Sequence, residues 1–249
     1  KECTVLVVAG DLCHARCFIA AETDRYAVAQ RDRAIRFAET AAKQFEHVIL
    51  VVGNHDHYDG VFQDTAALLA QHLPGVTVLD DAAIEIGGIR MFGTTLWADF
   101  EGGNAEAMKR AARGCGEFFF VKMRADSAAG APLARFRPTD ALAANRKARA
   151  ALEAFLAKPT MRKTVVVSHH APSFNGLNPL HAGNGLDGAF ATPLDALIEG
   201  SGISVWIHGH THIRRRYRIG ETTVLANCRG FDAKDPVARS FSPDVHIEI

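Results

Sequence analysis

Continuous apolar runs, each ending in a short polar segment, constrain this chain more than anything else in it. Thr4-Val5-Leu6-Val7-Val8-Ala9 runs into Gly10-Asp11, and His47-Val48-Ile49-Leu50-Val51-Val52 into Gly53-Asn54-His55-Asp56. Thr164 to Val167 precedes Ser168-His169-His170-Ala171-Pro172, and Ser204-Val205-Trp206-Ile207 precedes His208-Gly209-His210-Thr211-His212. Short runs without polar alternation read as strands covered on both faces, the habit of parallel-type sheets in layered α/β domains. Strand exits in such sheets share one rim. One carboxylate, one amide and several imidazoles would therefore meet there, which is a ligand set for a metal centre.

Between these runs the period changes. Tyr26 to Phe45 reads as a helix with Ile35, Phe37, Ala38, Ala41, Ala42 and Phe45 on its inner face. Val61 to His72 reads as a second helix stopped by Pro74-Gly75. Val76 to Leu79, Ala83 to Ile86 and Ile89 to Gly93 read as strands, the last two joined as a hairpin across Gly87-Gly88. Thr94 to Pro138, with a helix at Asn104 to Arg113 and the Phe118-Phe119-Phe120 cluster, reads as an insertion over one rim.

Thr139 is expected to cap an Ala-rich helix running to about Leu156, and Thr192-Pro193 to start a short one. Arg214 to Ile219 and Thr222 to Asn227 flank a Gly220-Glu221 turn, and Val245, Ile247 and Ile249 alternate with His246 and Glu248 as a last strand. The expectation is one layered α/β domain with mixed sheets spanning residues 1–249.

The chain has 249 residues, 48% of them hydrophobic, enough for a large single core. Lys plus Arg and Asp plus Glu number 28 each, so no global field draws the protein onto nucleic acid or an anionic membrane. No apolar run approaches the roughly 20 residues of a membrane span. Five cysteines are too few for a disulfide scaffold at this length and suit a reducing cytoplasm. Cys13-His14 with Cys17 lacks the second pair that would close a zinc site, so these read as buried or half-buried thiols.

Of twelve histidines, His55, His57, His169, His170, His208, His210 and His212 occupy three loops that follow strands. Core histidines would be scattered singly, whereas clustering at strand exits points to metal. Asp11 follows a buried strand, where an ionised carboxylate is costly without a cation; its alternative is a helix cap. Asn54 offers a carbonyl oxygen, its alternative being a turn residue. His210 and His212 can face adjacent ions across a bending loop. His208 is expected to pack or hydrogen-bond instead.

Gly10-Asp11, Gly53-Asn54-His55-Asp56, His169 with Pro172, and Gly209-His210-Thr211-His212 together resemble the calcineurin-like metallophosphoesterase superfamily, in that family's order, from Thr4 to about Arg229. Trp206 to Gly230 and Gly93 to Asp99 further resemble its small bacterial phosphoesterases. The resemblance implies a four-layer β-sandwich flanked by helices with two divalent ions at the strand-exit rim. Mn, Fe or Zn suits the mixed oxygen and nitrogen ligands, with Mg as an alternative.

By position, the resemblance makes Asp11 the bridging ligand, Asn54, His169 and His210 the completion of one site, and His212 the second ion's ligand, with His170 the rival of His169. It places His55 at the leaving oxygen with Asp56 as its orienting partner; Arg229 is a candidate for neutralising a phosphate, its alternative being a surface ion pair, and His57 is a second substrate-binding candidate. The expected substrate is a small phosphomonoester or phosphodiester, with neither membrane nor an assigned oligomeric state. One departure stands out: the family's first strand ends in Asp-x-His, and nothing before Asp11 supplies it. The expectation is that this strand is missing from the given sequence; the alternative is a protein that keeps a single site. Two rival functions remain, a nuclease using Arg214, Arg216 and Arg218 as a phosphate track and a degenerate protein-binding module.

Overall fold

A computed structural model describes residues 4–125, 131–180, 183–230 and 240–249. Strand β1 (Val5–Val8) leads through a short 3-10 turn to helix α1 (Arg25–Gln44), then β2 (His47–Val51), α2 (Thr65–His72), β3 (Val76–Leu79), β4 (Ala82–Ile86) and β5 (Ile89–Thr94). The insertion contributes α3 (Phe100–Gly103), α4 (Ala105–Gly114), α5 (Glu117–Phe120) and a hairpin, β6 (Lys122–Arg124) with β7 (Leu133–Arg135). After it come α6 (Pro138–Leu156), β8 (Thr164–Ser168), α7 (Asp187–Phe190), α8 (Asp195–Glu199), β9 (Val205–His208), β10 (Arg214–Ile219) and β11 (Thr222–Asn227).

Two sheets stack face to face. The parallel β1-β2-β3 sheet meets the mixed β10-β11-β9-β8-β5-β4 sheet across an apolar layer of Ile49, Val51, Leu79, Met91, Val165 and Val167. Helices α1 and α2 cover the outer face of the first sheet through Ala34, Ala38 and Leu69. Helices α6 and α8 cover the second through Leu152, Phe155 and Ile198, which pack around Trp206. The result is the expected helix, sheet, sheet, helix order, because strands apolar on both faces must be covered on both.

Several local expectations are corrected. Helix α6 begins two residues earlier than a Thr139 cap requires: Pro138 is its first residue, and the backbone N–H of Arg137 is satisfied by the Asp140 carboxylate at 2.8 Å. Thr192-Pro193 precedes rather than starts a helix, and α8 begins at Asp195, whose carboxylate accepts from Ser173. Helix α1 packs through small residues, leaving Phe37 and Ala42 exposed, since an alanine stripe lets the helix lie close against the sheet. Residues 240–249 form no ladder among the described residues, despite their alternation. The Asn227 side chain brackets Ser242 with two hydrogen bonds, which takes the place of strand pairing at that point. Cys3 lies outside the described residues; Cys13, Cys17 and Cys115 are buried free thiols and Cys228 is half-buried.

Strand β1 is an edge strand of its sheet. Beside it runs a groove of about 1440 Å³ lined by Val5, Val7, Met91, Val165, Ile207 and Leu225, with the C-terminal residues along its far side. No helix among the described residues is long and apolar enough to cross a membrane.

Candidate metal centre

Register brings the polar exits level. Thr94 of β5 pairs with Ser168 of β8, and Ser168 with His208 of β9, so the segments after β8 and β9 leave the sheet side by side. In the other sheet, Val8 pairs with Leu50, which aligns Gly10-Asp11 with Gly53-Asn54. The sheets are stitched together at the rim by His169, whose Nδ1–H donates to the Ala9 carbonyl at 2.7 Å.

Two glycines allow the loops to touch. Gly10 adopts a φ of 89°, and a side chain there would meet the Gly53 Cα at 2.7 Å as well as the His169 ring. A side chain on Gly53 would overlap the Asp11 carboxylate. Asp11, His210 and His212 also have positive φ, at 60°, 63° and 47°. Non-glycine residues in this region are strained, and such strain concentrates where a site dictates side-chain direction.

Asp11, His169 and His210 present ligand atoms that all lie within 4.8 Å of one another. Asn54 Oδ1 is 2.9 Å from His169 Nε2 and 3.2 Å from His210 Nδ1. One carboxylate, one amide oxygen and two imidazoles therefore face one point. The Nδ1–H bond to Ala9 orients the His169 ring with Nε2 toward that point, where it can ligate once deprotonated, and is the usual second tie of a metal-bound histidine. The donor chemistry fits a borderline divalent ion.

Electrostatics agree with that fit. Burial alone would raise the Asp11 carboxyl, but His169 at 3.3 Å, His55 and the backbone N–H of His55 hold it well below the usual carboxylate range. Burial opposes a charge on His169, and Asp11 overrides it and raises the ring. In this arrangement a proton shared with His169 balances Asp11, and a cation balances it equally well once that proton leaves. Burial and the neighbouring histidines push His210 well down, keeping its ring neutral and able to ligate.

His169 faces the donor cluster, whereas its rival His170 is turned elsewhere. His170 turns Nδ1 to the Thr95 carbonyl at 3.2 Å and packs 4.1 Å from the His210 ring, which Phe190 flanks on another side at 4.7 Å. His208 is buried, with Nδ1 on the Gly209 carbonyl at 3.0 Å, as expected of a packing residue. Asp11, His55, His169, His210, His212 and Arg229 all line the groove.

Two residues sit differently from expectation. Asp56 is fully buried and accepts the backbone N–H groups of Gly53 at 2.7 Å, Cys13 at 2.9 Å and Asp11 at 3.0 Å. Its hydrogen bonds thus clamp the Asp11 and Asn54 loops together, a task distinct from orienting the His55 ring. Burial and the Asp11 charge push its carboxyl up to about 7 against those N–H donors. His57, expected at the substrate, is only 4% exposed and stacks on Phe62 at 4.8 Å and against Trp97 at 5.5 Å. The 3-10 turn at His55–His57 points these neighbours in different directions, with His55 stacked on Tyr58 at 4.3 Å.

Sequence reasoning missed His14, Tyr58 and Glu117. His14 stands beside the site with Nδ1 3.4 Å from Asp59. Glu117, from the insertion, reaches Asn54 and Tyr58. Its one sequence signal is an acidic residue embedded between Cys115 and the phenylalanine cluster, a setting in which a carboxylate needs a partner. Phe118 itself is buried in the core of the insertion beside Trp97 and Phe136.

The fold, the donor cluster and the family match over residues 1–214 are those of a metal-dependent phosphoester hydrolase. The family profile of calcineurin-like phosphoesterases matches residues 1–214, and the chain belongs to that family. Among solved structures, it is similar to phosphopantetheinyl hydrolase (PptH) from Mycobacterium tuberculosis, with 18% identity, a TM-score of 0.58, and coverage of 91% of this chain and 79% of that one. It is also similar to TT1561 of Thermus thermophilus, with 12% identity, a TM-score of 0.48, and coverage of 90% and 76%. No curated protein matches the sequence.

Proposed function

We propose that the chain hydrolyses a small phosphomonoester or phosphodiester with two divalent ions held at the rim, Mn, Fe or Zn before Mg. The observation that carries this reading is the convergence of Asp11, Asn54, His169 and His210. Bound ions would neutralise phosphate oxygens and bring the pKa of a bound water toward neutrality. Asp11, with an oxygen toward His169 and another accepting from the backbone of His55, is the group suited to lie between two ions. His212 serves the second ion.

His55 is assigned the leaving oxygen. Burial lowers its pKa, so around neutrality the ring acts chiefly through a donated N–H bond. Arg229, exposed on the groove wall, offers a guanidinium to a phosphate oxygen.

Turnover of a chromogenic phosphodiester is expected to vanish with chelator, to return with Mn²⁺, and to fall by at least about 100-fold in Asp11→Ala or His210→Ala. Activity surviving either perturbation would remove the assignment.

A further inference from the structure

Glu117 is 5% exposed, sits on the single turn α5, and takes part in no step assigned above. A carboxyl buried that far needs hydrogen-bond donors. The two side-chain donors it has both reach Oε2: the Asn54 amide at 3.4 Å and the Tyr58 hydroxyl at 3.5 Å. These are long bonds, so their consequence lies in direction more than in strength.

An asparagine amide carries hydrogens only on Nδ2 and lone pairs only on Oδ1. With Oε2 of Glu117 on one side of it, Nδ2 is drawn toward the insertion. Oδ1 is thereby left facing His169 Nε2 and His210 Nδ1. Turned over, the same side chain would aim two N–H groups at the cation position, and a ligand would become a repulsive group.

We infer that Glu117 is the positioning residue that keeps the Asn54 carbonyl oxygen directed at the metal centre, supplied from the insertion and backed by Tyr58. The inference rests on the reading of Asn54 as a ligand. It also gives the insertion between β5 and α6 a part in cation binding, although none of its described residues is within the ligand cluster.

The test is calorimetric titration with Mn²⁺ of the wild-type protein and of Glu117→Leu, Glu117→Gln, Asn54→Ala and the Asn54→Ala/Glu117→Leu double variant, each checked for fold by circular dichroism. Glu117→Leu is expected to weaken Mn²⁺ binding about 10- to 100-fold, as loss of a partner behind a ligand does. Glu117→Gln keeps an acceptor oxygen and should stay within about threefold of wild type. On the Asn54→Ala background Glu117→Leu should have no further effect, because the residue acts through Asn54. Wild-type affinity in folded Glu117→Leu, or equal losses in Glu117→Leu and Glu117→Gln, overturns the inference while leaving the ligand set intact. Wild-type affinity in Asn54→Ala would instead sink the ligand assignment beneath it. If Glu117→Leu does not fold, Glu117→Met replaces it in the same comparison.

Discussion

Replacing His57 by phenylalanine should change the acid sensitivity of the fold by an amount that follows from burial. The ring is packed between Phe62 and Trp97, and neither nitrogen has a well-formed hydrogen bond. Burial pushes its pKa down to about 3, against about 6.5 in an unfolded chain. The native state therefore holds this ring neutral at a pH where the unfolded chain protonates it.

Its stabilising share is complete above the unfolded value and is lost as pH falls toward the native one. At about pH 5 the proton gained only on unfolding is worth RT ln(1 + 10^1.5), about 2 kcal/mol, and at about pH 7.5 less than about 0.1 kcal/mol. His57→Phe keeps the stacking and removes the titration. Phenylalanine is larger, and overpacking costs about 1–3 kcal/mol, but that cost is the same at both pH values. Urea unfolding of both proteins at about pH 7.5 and pH 5 should show wild type losing about 2 kcal/mol more than the variant between them. His170 and His208, also buried neutral, with pKa values near 3 and 4, are present in both proteins, so most of their contribution cancels. Parallel losses would refute the reasoning, since His57 would then be solvated or charged in the native state.

Gly53→Ala places a methyl group against Asp11; Mn²⁺ binding measured by calorimetry should be lost, with stability reduced by about 1–3 kcal/mol. Unchanged binding would mean that the two loops do not touch. Asp56→Asn turns an N–H₂ group toward backbone donors that now point at a carboxylate. The expected cost is about 1–3 kcal/mol in urea unfolding, together with weaker Mn²⁺ binding, and a variant equal to wild type in both would contradict the clamp.

Much of the fold was legible because it rests on local pattern. Strands such as Val48 to Val51 and Val165 to Val167 announce burial on both faces by lacking polar alternation, and the Gly87-Gly88 hairpin follows from turn chemistry alone. Less legible were features decided by neighbours distant in sequence. The alternation at Val245, Ile247 and Ile249 makes no ladder, because pairing depends on what lies beside the segment, and there the Asn227 side chain holds the backbone of Ser242. The helix starts differ from those expected at Thr139 and Thr192 because Pro138 itself takes the first helical position, whereas Pro193 lies before the Leu194 cap of α8.

The same division runs through the site. The sequence alone determined that Asp11, Asn54, His169 and His210 leave buried strands, because apolar runs ending in Gly-Asp, Gly-Asn-His-Asp and His-Gly-His are readable along the chain. Adjacent residues on one loop could not be sorted that way. Only the tertiary structure sent His169 inward and His170 to Thr95, turned His57 into the aromatic core, and spent Asp56 on three backbone amides. It also brought Glu117 from the insertion to Asn54. Side-chain direction at a strand exit is set by loop torsions and by groups far away in the chain, and neither is written in the local pattern.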